Sequence, residues 1–429
     1  MPLEDHPLRF LLANELHARP FPQVATPGQV AYLAIKPETD AARRDRGRDR
    51  AHLVALLDRF GAPHPAPEAT HHFADLGRFL LKWESHTEFV TYTAFLSGNA
   101  GRAFDPAAFE AFPADWLADV PGVRFTSALL RIAPIPDQEA RINDWLGDWF
   151  VQESVACARV LDGAAIVASD FRIDSAGHMR MAVFVAPGTG TRRLGRIVQR
   201  LCEIETYKSM SMLGFARARQ LSPEIGALDQ RLSQMVGSMT GTDSAPEATL
   251  SALLGIAAEL ENLVVKSSFR FSATAAYEAI VHERIDVMRE ERVFGRQTLA
   301  EFMLRRFDPA MRTVQAAEAR LKNLADRSMR AGTLLGTRVD VDRSAQNQKL
   351  LESMDRRADL QLRLSRTVEG LSVVAISYYA VGLVSYVADP LAAPLGMGKG
   401  VMLALLTPLV VLAVWFLVHR IRARLTGGH

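Results

Sequence analysis

Cysteine is nearly missing from this sequence: 429 residues carry two, Cys157 and Cys202. Two thiols cannot build a disulfide framework or a four-thiolate zinc site, and the scarcity fits a reducing compartment. Net charge is nearly missing as well, with 50 Lys and Arg against 48 Asp and Glu, a formal balance of +2. A dedicated nucleic-acid surface needs a strong basic excess, so none is expected. The N-terminus, MPLEDHPLRFLLANELHARP, has neither a basic start nor a long apolar stretch, and no cleaved signal is expected there.

Complete catalytic and metal-binding signatures are also missing. His282-Glu283-Arg284-Ile285-Asp286 begins like a zincin helix, but Asp286 stands where the second imidazole is needed. His86 and Glu88 have deaminase spacing, yet no Pro-Cys-x-x-Cys follows. His71, His72 and Asp75 have no strong geometric claim on a metal. Gly188-Thr189-Gly190-Thr191 lacks the Gly-Lys-Ser/Thr ending of a P-loop and reads as a capping loop with Thr191 as N-cap. There is no Gly-x-Ser-x-Gly elbow. The expectation is a protein that is not an enzyme and needs no cofactor.

What the sequence has in quantity lies near its C-terminus. Gly370 to Ala388 and Val401 to Val418 are uncharged and apolar. Each run is about long enough to cross a hydrocarbon core of ~30 Å as a helix. A helix satisfies its own backbone in lipid, so two such runs in succession predict a transmembrane hairpin. Arg356, Arg357, Arg363 and Arg366 precede it, and Arg420, Arg422 and Arg424 follow it. The loop between has only Lys399 against Asp389. The positive-inside rule then places both termini in the cytoplasm and the loop outside. Tyr386 and Trp415 stand near the ends of the runs, where amphipathic rings anchor, and Pro408 is expected to kink the second helix. Ser372, Ala375, Tyr379, Gly382 and Tyr386 form a small and polar stripe suited to helix packing.

The remaining chain reads as an α+β protein. Helix is predicted over Pro7–Arg19, strand over Val30–Ile35, and helix over Asp40–Phe60, with RRDRGRDR on a solvated face. Strands follow over His71–Trp83, Glu88–Leu96, Val123–Ile132, Ser154–Leu161, Ala164–Ile173 and His178–Ala186, with short helices at Asp105-Pro106 and over Asp137–Phe150. Asp162-Gly163 marks a hairpin turn. Beyond Pro187 only helical periodicity is found: Leu194–Arg219, a helix capped by Ser222-Pro223, another from Ala248 to Phe307 broken near Gly295, one from Asp308 to about Leu334, and a last from Asp342 into the first apolar run.

The domains expected are therefore an N-terminal mixed α/β cytoplasmic domain at 1–187, a long helical domain at 188–339, a stalk helix at 340–369, and membrane helices at 370–388 and 401–418. An external loop at 389–400 joins the two membrane helices, and a basic cytoplasmic tail occupies 419–429. On the stalk, Leu350, Leu351, Met354, Ala358, Leu364 and Val368 fall on one side and charged residues on the other. That stripe needs a partner helix, so a coiled-coil homo-oligomer is expected, with the lipid bilayer as the other partner. The interface and membrane positions singled out are Leu350, Met354, Leu364, Val368, Ser372, Tyr379, Gly382 and Tyr386.

At HARPF (His17–Phe21), WESHTEFVTYTAF (Trp83–Phe95) and TVEGLSVVAISYY (Thr367–Tyr379), in this order, the sequence resembles a family of bacterial membrane-anchored proteins. These share a domain of unknown function covering nearly the whole chain. The resemblance implies anchoring and no activity. The layout is also similar to the CorA type of two-span magnesium channel. The Gly-Met-Asn signature that ends the first CorA span is absent, and Ala388-Asp389-Pro390 stands near that point. A non-enzymatic, oligomeric binding protein is the first functional expectation, and a CorA-like divalent-cation conductor the second.

Overall fold

A computed structural model describes residues 3–15, 21–98, 101–239, 246–392 and 398–426. The chain is α+β, as its patterning predicts, and divides into two compact units. The first comprises Met1–Asp243 and Ser251–Ala331; the second comprises Ser244–Leu250 and Gly332–His429.

The first unit is built on one sheet. Its elements are α1 (Arg9–Glu15), β1 (Gly28–Lys36), α2 (Arg46–Arg59), β2 (His71–Asp75), β3 (Leu80–Ser85), β4 (Val90–Ser97), α3 (Ala114–Ala118), β5 (Val123–Pro134), α4 (Ala140–Trp149), β6 (Ala156–Val160), β7 (Ala165–Ile173) and β8 (Met179–Val185). Then come α5 (Thr191–Ser238), α6 (Pro246–Asp286) from Ser251 onward, β9 (Glu291–Arg292), α7 (Leu299–Arg306) and the start of α8 (Asp308–Ala392). Among the described residues nine strands run in the order β2-β3-β4-β1-β5-β8-β7-β6-β9. Neighbours are antiparallel except β5 and β8, which run parallel, with Leu130 opposite Met181.

Alternation in β1 shows why both sheet faces are covered. Ala31, Leu33 and Ile35 join a core with Leu53, Leu56 and Leu57 of α2, Trp116 of α3 and Leu146 of α4. Val30, Tyr32 and Ala34 point the other way, into a core with Leu194, Ile197, Val198 and Leu201 of α5. Side chains of a strand alternate between faces, so a strand with no polar face must be sandwiched. The boundary expected at residue 187 therefore does not separate two compact units. The first four turns of α5 are one of the sheet's two covers, and β9, a strand where only helix was expected, pairs with β6.

Other differences have local causes. His71–Trp83 is two strands, because the chain turns at Leu76–Phe79 with Gly77 at φ 78°. The N-cap of α5 is Gly190 rather than Thr191, and the Thr189 hydroxyl instead bonds Ala164 O at 2.9 Å. Asp105 does cap the turn after it, accepting from Ala107 N at 3.0 Å. Pro223 lies inside α5 and starts no new helix. Its ring and Arg219, whose carbonyl loses its bond, are exposed, while Leu221 and Ile225 on either side are buried. Water can satisfy the freed carbonyl, and packing holds the rest of the helix together. Likewise α8 runs unbroken through Gly332 and Gly336, where a break before Asp342 was expected. A helical Gly costs only about 1 kcal/mol, and no Pro interrupts the stretch. The second apolar run lies in α9 (Lys399–Thr426), with Pro408 inside it.

Among the described residues three helical stretches are long and apolar enough to cross a membrane by length and composition alone: Pro246–Asp286, Leu299–Ala388 and Gly400–Ile421. The first was not expected. Arg270 and Arg284 of α6 pair with Glu88 and Glu203 within the first unit, and Leu253, Ile256, Leu260 and Leu263 are buried there.

Candidate functional site

In the second unit α8 and α9 carry the apolar runs. Leu350, Met354, Leu364 and Val368 are 61, 57, 65 and 57% exposed, so none of the described residues covers the stalk stripe. Asp359 and Arg363 pair on the stalk at 3.1 Å. Within the first run Val373, Ser377, Val381 and Val384 are partly or fully buried, and on α9 Met402, Leu406, Val410, Val414 and Val418 are. Both sets recur at three- or four-residue intervals, the spacing of one helix face. The expected packing stripe divides. Ser372 and Gly382 are half-buried, while Tyr379 and Tyr386 are 70 and 84% exposed. Ser372 and Thr407 hydroxyls bond the carbonyls of Val368 and Leu403, one turn back, at 2.8 and 2.7 Å, which hides their polarity within the helix. The loop residues 393–397 and residues 17–20 of the HARPF segment lie outside the described residues.

The remaining sequence candidates separate. His71 and Asp75 are exposed and share one strand face, whereas His72 lies on the other. His282 faces Asp308 at 3.4 Å, a side-chain contact between α6 and α8. Among the described residues no cluster of three His, Cys, Asp or Glu side chains has metal-binding geometry. Cys157 and Cys202 are free and buried, and burial raises both thiols, Cys157 to about 12, so both are poor nucleophiles.

Glu88 lies in the turn between β3 and β4 rather than on a strand, and it is 1% exposed. Arg270 holds both its carboxylate oxygens, and Tyr277 OH donates to Oε1 at 3.0 Å. Burial, with the Glu88 charge beside it, raises the Tyr277 phenol well above its ordinary value. Nearby, Lys82 Nζ reaches Glu84 at 2.9 Å and Gln199 at 2.9 Å, around a cavity of about 20 Å³, room for about one water. The side chain of Arg44, expected on a solvated face, is only 4% exposed. Its Nε meets Asp49 at 2.7 Å, and its Nη2 donates to His86 O at 2.6 Å and Phe89 O at 3.1 Å, clasping the same turn. Spacing could not reveal the contacts of Glu88 with Arg270 and Tyr277, of Lys82 with Gln199 or of Arg44 with the β3–β4 turn, because their partners lie 42 to 189 residues apart in the chain.

The family model described as a protein of unknown function, DUF3422, matches residues 4–425, nearly the whole chain. No curated protein matches it.

Proposed function

The chain belongs to the DUF3422 family, and on that premise we propose a membrane-anchored protein whose first unit is a cytoplasmic binding module. The observation that carries this reading is the uncovered apolar surface of residues 370–388 and 401–418. Val374, Tyr378, Leu383 and Leu409 each expose well over half of their side chains. Apolar surface in water costs about 25 cal/mol per Å², and a bilayer removes that cost over a whole helix. The arginines on both flanks orient the two termini to the cytoplasm.

The first unit acts by binding rather than by covalent chemistry. Several of its buried charges are paired: Glu88 with Arg270, Asp49 with Arg44, Asp170 with Arg180 and Glu205 with Lys208. A second copy covers Leu350, Met354, Leu364 and Val368, making the stalk a homo-oligomeric coiled coil. Sedimentation with alkali-washed membranes tests the anchor: recovery in the supernatant removes it. Reporter fusions at Thr426 and at Gly398 test the orientation, with the loop expected outside.

A CorA-like conductor is the second reading. It is favoured by α8, which continues from the first unit into the first apolar run without interruption. Divalent-cation flux into liposomes separates the two readings, since the binding module predicts none.

A further inference from the structure

We propose that a cleft on the α2 side of the sheet is a binding site for a small apolar monocarboxylate. The cleft measures about 340 Å³, and its walls are apolar: Leu33 and Ile35 of β1, Leu117 of α3, Val120 beyond it, and Phe109. Two polar side chains meet there, Arg124 and His178. That is the usual make-up of a small-ligand site, apolar walls with a few placed polar groups, and it holds about ten non-hydrogen atoms with ease.

The two polar groups say which ligand. Among the described residues no carboxylate pairs with Arg124, which is exposed at the edge of the cleft with its guanidinium laid over Gly177. It is the one formal charge on the lining, so the cleft attracts anions. A guanidinium fork matches a carboxylate in plane.

His178 is buried and stacked on Phe109 with centroids 3.9 Å apart. Its Nδ1 lies 2.9 Å from Ser127 Oγ, and the Ser127 hydroxyl donates to Gly177 O at 3.2 Å. A hydroxyl has one proton to give, so Nδ1–H is the donor in that pair and Nε2 keeps its lone pair. Nε2 has no hydrogen-bond partner among the described residues, and once the ring takes up a proton it can donate to a carboxylate oxygen. Burial and the Arg124 charge lower the His178 pKa, opposed by the Asp174 carboxylate that accepts from its backbone N–H, and the net lowering keeps the ring neutral until a ligand anion arrives. The apolar walls reject a bare inorganic anion and favour one with a hydrocarbon or aryl body.

The test is calorimetric titration of the full chain in nanodiscs with phenylacetate, 2-phenylethanol and acetate. Phenylacetate is expected to bind at least tenfold more tightly than either control. Arg124→Gln is expected to weaken it at least tenfold, and Leu117→Trp, which fills the mouth from a half-exposed position, to abolish it. Arg124 is exposed, so its replacement leaves the fold intact, and circular dichroism of each variant verifies this. Equal binding of 2-phenylethanol, or an Arg124→Gln variant that binds as the wild type does, overturns the carboxylate assignment. Absence of phenylacetate binding to the wild type overturns the site.

Discussion

Gly214 of α5 lies so close to Thr274 of α6 that a Cβ built on the glycine would stand 2.2 Å from the threonine Oγ1. Both residues are buried, and the contact joins the helix that covers the sheet to the helix that carries Arg270. Any side chain at 214 must push the two helices apart. Gly214→Leu is therefore expected to cost about 1–3 kcal/mol, the usual range for overpacking. Gly226, on the same helix, has nothing within 4 Å of a built Cβ. Gly226→Ala should stabilise by up to about 1 kcal/mol through helix propensity. Chemical unfolding followed by tryptophan fluorescence compares the two, and equal effects would contradict the close approach.

His52 makes stability depend on pH. Its Nε2 donates to Trp116 O at 3.1 Å, and its Nδ1 accepts from Tyr92 OH at 3.0 Å, so the folded site suits the neutral ring. Burial lowers its pKa below the ordinary 6.5, an effect opposed by Asp119 and reinforced by Arg59. The unfolded chain thus takes up this proton first as pH falls. Stability should fall from about pH 6.5 downward, until the folded-state ring also protonates. His52→Gln, whose amide can keep both partners, should flatten that part of the profile. An unchanged slope in the variant would assign the dependence to other groups.

The sheet's second cover begins at Thr191, so a fragment ending at residue 187 lacks Leu194, Ile197, Val198 and Leu201. That fragment would expose one whole face of the sheet and is expected to be insoluble. A fragment ending at Ala331 retains both covers and should fold. Limited proteolysis should accordingly leave a stable product near 331; a stable product ending near 187 would restore the earlier boundary.

On the stalk, Met354→Asp with Leu364→Asp places uncompensated charge in the proposed seam between copies and should dissociate the oligomer. Asp at Arg356 or Arg363, on the opposite face, should matter much less. Mass measurement in detergent decides, and a monomeric wild type removes both the oligomer and the conductor.

Much of this architecture was written in local pattern. The uncharged runs at 370–388 and 401–418, the strand at Val30–Ile35, the Asp105 cap and the change from strand to helix near Pro187 follow from spacing and residue type over a few turns. The same local reading stopped α5 at Pro223 and divided α8 before Asp342. At Pro223 the outcome depended on whether packing on either side outweighed one lost bond, and the burial of Leu221 and Ile225 favours the continuous helix; before Asp342 only glycines stood in the way, and they cost no bond.

What only the tertiary structure decided is pairing across distance. Arg44 and Asp49 look like a solvated charged face, but the turn between β3 and β4 folds over the guanidinium and buries it. Glu88 finds Arg270, and Ser127 finds His178, through strand order and helix placement. Periodicity along the chain reports which face of an element is apolar. It carries no information on which distant element will cover that face, because that is set by the joint packing of a nine-stranded sheet with the helices on its two sides.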